Sequence, residues 1–119
     1  MISTYKELEP AKMLQGSSIE MRCSFVDEVN NTKIPADISE YDCWFVLYPY
    51  SQEDYAQFIK KCSLVTGTSH TMSVYLLSEE TKNWQGGYTF EFVLKDLNGE
   101  FIKNSRGVLT VLKSNVNTI

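Results

Sequence analysis

The sequence predicts an all-β domain, an antiparallel β-sandwich of about seven short strands with one short helical turn. Three observations lead there: a hairpin pattern from Trp84 to Val111, a segment apolar on both faces at Cys43–Tyr48, and further short alternating runs bounded by turn formers. A chain of 119 residues suits one domain with a substantial core. The expected organisation is an N-terminal arm or edge strand over residues 1–16, the sandwich over 17–112 and a flexible tail over 113–119.

In residues 1–16, Tyr5, Leu8 and Met13 are mixed with charges, and Pro10 interrupts any ladder. From Ser17 the pattern sharpens: Ile19, Met21, Cys23 and Phe25 alternate with Ser18, Glu20, Arg22 and Ser24, as in a half-buried strand. Asp27–Lys33 is expected to be a polar loop, and Ile34–Ser39 an extended segment whose Pro35 suits a sheet edge. In the next strand Cys43, Phe45 and Leu47 occupy one face and Trp44, Val46 and Tyr48 the other, so a central position is expected, with an outer face that needs cover. Pro49 ends it. For Tyr55, Phe58, Ile59 and Cys62 a helical turn and a bulged strand both fit. After Gly67, Met72, Val74 and Leu76 alternate with Ser73, Tyr75 and Leu77 as another strand, and Ser78 is expected to cap a helical turn over residues 79–82 with its hydroxyl.

The hairpin follows. Tyr88, Phe90, Phe92 and Leu94 alternate with Thr89, Glu91, Val93 and Lys95, giving one buried and one wetter face. Asp96-Leu97-Asn98-Gly99 supplies the turn, Asn and Gly tolerating the positive φ that tight turns demand, and Phe101–Val111 returns. Tyr88 stands just after Gly86-Gly87 at the start of a late strand. Immunoglobulin-like domains place a tyrosine there whose hydroxyl ties the corner to the backbone, so the sandwich is expected to be immunoglobulin-like.

Hydrophobic residues at 43% and charged ones at 22% describe a folding chain. A net charge of −4, with eleven scattered Lys and Arg, offers phosphates no basic field, so no nucleic-acid partner is expected. Cys23, Cys43 and Cys62 are widely spaced and lack a CxxC pair; they are expected to be buried thiols, as suits a reducing cytoplasm. The N-terminus lacks the basic-then-apolar pattern of a leader and no stretch is long enough to span a bilayer, so no membrane association is expected.

The sequence carries little recognisable chemistry. His70 is the single histidine, without the elbow or oxyanion hole of a triad, and is read as a surface residue. Asp96, Asn98 and Glu100 lack the spacing of an EF-hand loop, since Gly99 is only the fourth residue. Glu79 and Glu80 are adjacent and diverge on a helical turn, which is unlike paired catalytic acids. The glycines form no phosphate-binding pattern. No catalytic, cofactor-binding or metal-binding residue is assigned, no cofactor is expected, and the chain is read as not an enzyme. One feature stands out: seven of the fifteen aromatic residues lie between Tyr41 and Phe58. Core or loop-covered packing, a protein interface and a ligand platform all remain open for them. Trp44, Tyr48, Tyr50 and Tyr55 are the candidate interface residues.

The segments Gly16-Ser17-Ser18-Ile19, Ile34-Pro35-Ala36-Asp37-Ile38-Ser39, Leu77-Ser78-Glu79-Glu80-Thr81 and Trp84 to Val111 together resemble a β-sandwich domain of tailed-bacteriophage structural proteins, namely the N-terminal domains of upper baseplate proteins and modules of head fibres. The most specific part is Glu80-Thr81 before a large apolar residue, then Gly87-Tyr88, Phe90, Phe92, Asp96, Gly99, Gly107 and Val111. Trp84-Gln85 departs from the aliphatic residue and proline more usual there. The resemblance implies a non-enzymatic virion structural protein acting in a baseplate, in fibre attachment or in capsid decoration. It would be made in the bacterial host cytoplasm, would contact other virion proteins and could self-associate. The chain is read as one domain without an appended fibre, which favours an adaptor or decoration role over receptor binding. The alternative is a carbohydrate-binding module that stacks sugars on Trp44, Tyr48 or Tyr50; an enzyme relying on His70 comes third.

Overall fold

The computed structural model describes residues 5–52 and 54–114, so residues 1–4 of the expected arm and 115–119 of the expected tail lie outside the described residues. The strands are β1 Tyr5–Glu7, β2 Ala11–Leu14, β3 Ile19–Ser24, β4 Val26–Val29, β5 Thr32–Pro35, β6 Asp42–Pro49, β7 Phe58–Lys61, β8 Ser63–Leu64 and β9 Thr71–Leu76; the helical turn α1, Ser78–Thr81, then precedes β10 Gly86–Lys95 and β11 Phe101–Leu112. The larger sheet runs β1-β11-β10-β6-β7, with β2 following β1 along the same edge of β11. The smaller sheet is β3-β9-β8. This is an immunoglobulin-like sandwich, the first lane lying beside the last strand and β3 and β9 facing β6 and β10 across the core.

Among the described residues, the strands of the two main sheets fall into seven stretches of chain, in line with the expected seven, and the β4–β5 hairpin adds two more outside them. β1 and β2 share one lane, broken at Pro10, and β7 and β8 form one stretch that changes sheets at Cys62. Two features correct the expectation. The sheet is mixed, because β1 and β2 run parallel to β11. The region read as loop plus extended segment is a hairpin of β4 and β5, with Val29 opposite Thr32. Its two-residue turn is Asn30-Asn31, both at positive φ, 52° and 64°, a conformation asparagine tolerates and hairpin twist favours.

The core fills from the inward faces. Phe45 stacks on Phe90 with ring centroids 6.0 Å apart, and Phe92 meets Phe45 edge-on at 5.6 Å. The row continues through Phe58 to Trp84, 5.1 Å away, and from there to Tyr88. Cys23, Met72, Val74 and Leu76 close the core from the smaller sheet, and Phe25, Ala36 and Ile38 seal one end. Gly107 is opposite Phe90 in register, and a Cβ there would come within 2.7 Å of the Phe90 ring. The missing side chain is what lets that ring lie on β11.

The corners are fixed by polar contacts. The Tyr88 hydroxyl accepts the Gln85 amide at 2.8 Å, the tie expected of that tyrosine. In the β10–β11 turn Gly99 alone has positive φ, at 78°, while Asn98 does not. The turn is instead organised by Asp96, whose Oδ1 accepts the amides of Asn98 and Glu100, each at 2.9 Å. At α1 the expected Ser78 cap is replaced by Glu80, whose carboxylate accepts the Leu77 amide at 2.9 Å. Ser78 donates its hydroxyl to the Gly16 carbonyl, and Thr81 donates to that of Ser17, so α1 clamps the end of the arm. Glu80 also pairs with Lys60 at 2.8 Å, and Lys60 donates to the Tyr75 carbonyl. Burial works to raise the Glu80 carboxyl, but Lys60 and the Leu77 amide outweigh it and hold the group below its ordinary value.

Two outcomes follow from these contacts. Tyr88→Phe strips the partner from a part-buried amide and should lower unfolding free energy by about 1–2 kcal/mol in urea titration, with the fold retained. For Glu80, a depressed folded value means a contribution that is full above the ordinary value of 4.5 and lost as pH falls through the folded value. Lys60→Met should remove on the order of 0.5 kcal/mol at neutral pH, the pair being part-exposed, and flatten that acid limb in pH-resolved thermal melts.

Candidate functional site

Directly opposite residues in a ladder share a face, so the register defines the outer surface of the larger sheet. Val46 lies between Ile59 of β7 and Glu91 of β10, and Trp44 lies between Lys61 and Val93. Tyr48 is opposite Thr89, and the Tyr50 amide continues the ladder by donating to the Gly87 carbonyl at 3.2 Å. Trp44, Val46, Tyr48 and Tyr50 thus form one outward column. Three of the four candidate interface residues belong to it; Tyr55 is in the loop between β6 and β7 and does not.

The cover expected for this face is incomplete. Trp44, Tyr48 and Val93 are part-exposed, and Ile59 is 58% and Tyr50 65% exposed. Val46 is the buried floor of an apolar hollow of about 310 Å³ walled by Trp44, Ile59, Val93 and Lys95. The rim is charged. Lys61 sits 5.7 Å over the Trp44 ring and pairs with Asp42 at 3.3 Å. On the β11 side the expected wet positions Thr89 and Glu91 are buried, a correction to simple alternation. Neighbours on both sides cover them: Glu91 accepts the Asn104 side-chain amide and is opposite Arg106.

Ile59, Val93 and Lys95 were not singled out by sequence reasoning. Each is unremarkable alone, and only the pairing of β7, β6 and β10 brings them round Val46. The signal that could have found them is the two-faced β6 itself, which requires apolar neighbours on its outer side.

A second hollow, about 390 Å³, lies on the outer face of the smaller sheet and is polar. Glu20 there pairs with Arg22 at 3.1 Å and accepts bonds from Ser73 and Tyr75; the Arg22 guanidinium leads in holding its carboxyl below the usual range. These groups are engaged with one another. His70 is half-buried, and its carbonyl takes the Phe25 amide. Among the described residues no group of three or more His, Cys, Asp or Glu could hold a metal ion, and no helix is long and apolar enough to cross a membrane.

No family model matches the chain, and no curated protein matches it. Among solved structures it is similar to the fibronectin(III)-like modules of Clostridium thermocellum CbhA, at 8% identity, 96% coverage of each chain and a TM-score of 0.41. A likeness of that degree says nothing of what this chain does. The strand order on its own makes the chain an immunoglobulin-like β-sandwich module.

Because this outer face points away from the core, folding does not depend on an exposed residue such as Ile59 beside the column. Ile59→Ser should change unfolding free energy by no more than about 0.5 kcal/mol in denaturant titration.

Proposed function

We propose that this chain is a non-enzymatic structural module of a phage virion, joined to another virion protein through the outer face of its larger sheet. The observation that carries the docking part is the apolar hollow floored by Val46 and walled by Trp44, Ile59, Val93 and Lys95 on a sheet face left partly uncovered. Apolar centre, aromatic flank and charged rim are the anatomy of a protein interface. The phage part is supported by the resemblance of the run from Glu80-Thr81 through Gly87-Tyr88, Phe90 and Phe92 to Gly107 and Val111. In this reading the protein is made in the bacterial cytoplasm, is carried in the particle as an adaptor or decoration component, and needs no cofactor.

A sugar platform on Trp44 is less favoured, because the Lys61 ammonium occupies one side of the indole and competes with a pyranose for it. Mass spectrometry of purified particles tests the first reading. The protein should be present in stoichiometric amounts, and Ile59→Glu combined with Val93→Glu should lower its incorporation roughly tenfold or more while the purified variant stays folded. Absence of the wild-type protein from the particle overturns the virion role. Undiminished incorporation of the folded double variant overturns the docking face, and glycan-array binding lost in Trp44→Ala would put the sugar platform in its place.

A further inference from the structure

We infer that Cys43 and Cys62 are a latent cross-strand disulfide, which a small-molecule disulfide oxidant closes, stapling β7 to β6 where the chain leaves the larger sheet for the smaller. The inference does not rest on the docking reading. The β6–β7 register pairs Trp44 with Lys61, so the next pair is Cys43 with Cys62, and the Cys62 amide donates to the Cys43 carbonyl at 2.8 Å. Both side chains turn inward, at 0% and 6% exposure, and both thiols are free.

The geometry needs little adjustment. Directly opposite residues hold their Cβ atoms roughly 4.5–5.5 Å apart, and a disulfide wants about 3.5–4.5 Å, a closure of about 1 Å. β7 can supply it, since it is a four-residue strand at the end of the larger sheet. Cys23 is the third free thiol, but it lies on β3 in the other layer. There it pairs with Met72 of β9, whereas Cys43 and Cys62 are joined directly by a backbone ladder bond. The ladder therefore favours the Cys43–Cys62 pair over either pairing with Cys23.

The neighbouring Cys62 thiol, followed by burial, pushes the Cys43 thiol up, so Cys43 is not the first nucleophile. With oxidised glutathione as oxidant, local opening of β7 exposes Cys62, which loses its proton to water and attacks one glutathione sulfur as thiolate. One glutathione leaves as thiolate and is protonated. Cys43 then loses its proton and attacks the Cys62 Sγ, expelling the second glutathione. Two protein thiols are oxidised and one glutathione disulfide is reduced to two thiols.

The test is incubation of the purified full chain with oxidised glutathione. The expected product has lost the mass of two hydrogens, keeps one titratable thiol in denaturant, yields a Cys43–Cys62 linked peptide on digestion, and melts about 5–10 °C higher. Cys23→Ala should still close and Cys62→Ser should not. Three persistent thiols, a stable glutathione adduct, a bridge involving Cys23 or a link between two chains would each overturn the inference. Mass and peptide map of the wild-type protein decide it even where a cysteine variant fails to fold.

Discussion

The Phe90 ring lies on the bare backbone of Gly107, and much of the larger sheet is arranged around that contact. A side chain at residue 107 would meet both the ring and the Cβ of Leu8, so the same glycine admits the core aromatic and the N-terminal lane. With Phe90 seated there, Phe45 stacks against its other neighbour strand, and Phe92 meets Phe45 edge-on. Each ring contributes large buried area and constrains the next, so β6, β10 and β11 are held in register by side-chain packing as well as by the ladder.

What was legible in the sequence was local. Alternation placed Tyr88, Phe90, Phe92 and Leu94 inward, and glycine followed by tyrosine identified the corner that Tyr88 pins to Gln85. What was hidden depends on residues distant in sequence. The parallel pairing of β1 and β2 with β11 joins segments about a hundred residues apart, and nothing in Ala11–Leu14 declares its partner. Glu91 looks solvent-facing until Val46 and Arg106 arrive on either side. The β4–β5 hairpin was obscured differently: Asn30-Asn31 is a legitimate turn pair, but its flanking strands are mostly exposed and carry no apolar alternation. At α1, serine is the commoner cap, yet the hydroxyl of Ser78 is drawn to Gly16 and leaves Glu80 to meet the Leu77 amide.

The candidate surface divides in the same way. Trp44 and Tyr48 could be placed on one face from spacing alone, because β6 is long enough to show its period. Its hollow could not, since Ile59 and Val93 belong to strands whose order is set by the fold. Tyr50 joins the column by one further ladder bond beyond the end of β6. Tyr55 falls outside it because the chain has by then turned into the loop. A cluster of aromatics in sequence is therefore a weaker guide to a surface than two of them at strand spacing.

β7 connects the two faces of this region. Outward, it supplies Ile59 to the hollow and Lys61 to the Trp44 ring. Inward, Phe58 packs against Phe45 and Trp84, and Lys60 reaches across to Tyr75 of the other layer and to Glu80 of α1. Immediately after it Cys62 lies opposite Cys43. A strand of four residues with a neighbour on only one side depends on such side-chain anchors, because edge ladders alone fray readily. A covalent bond between Cys43 and Cys62 would add an anchor one residue from the Trp44–Lys61 pair, on the opposite side of the same backbone. Oxidation inside the core would then stiffen the outer surface without altering any residue on it, since it would restrict the strand that supplies Ile59 to the hollow's wall and Lys61 to its rim.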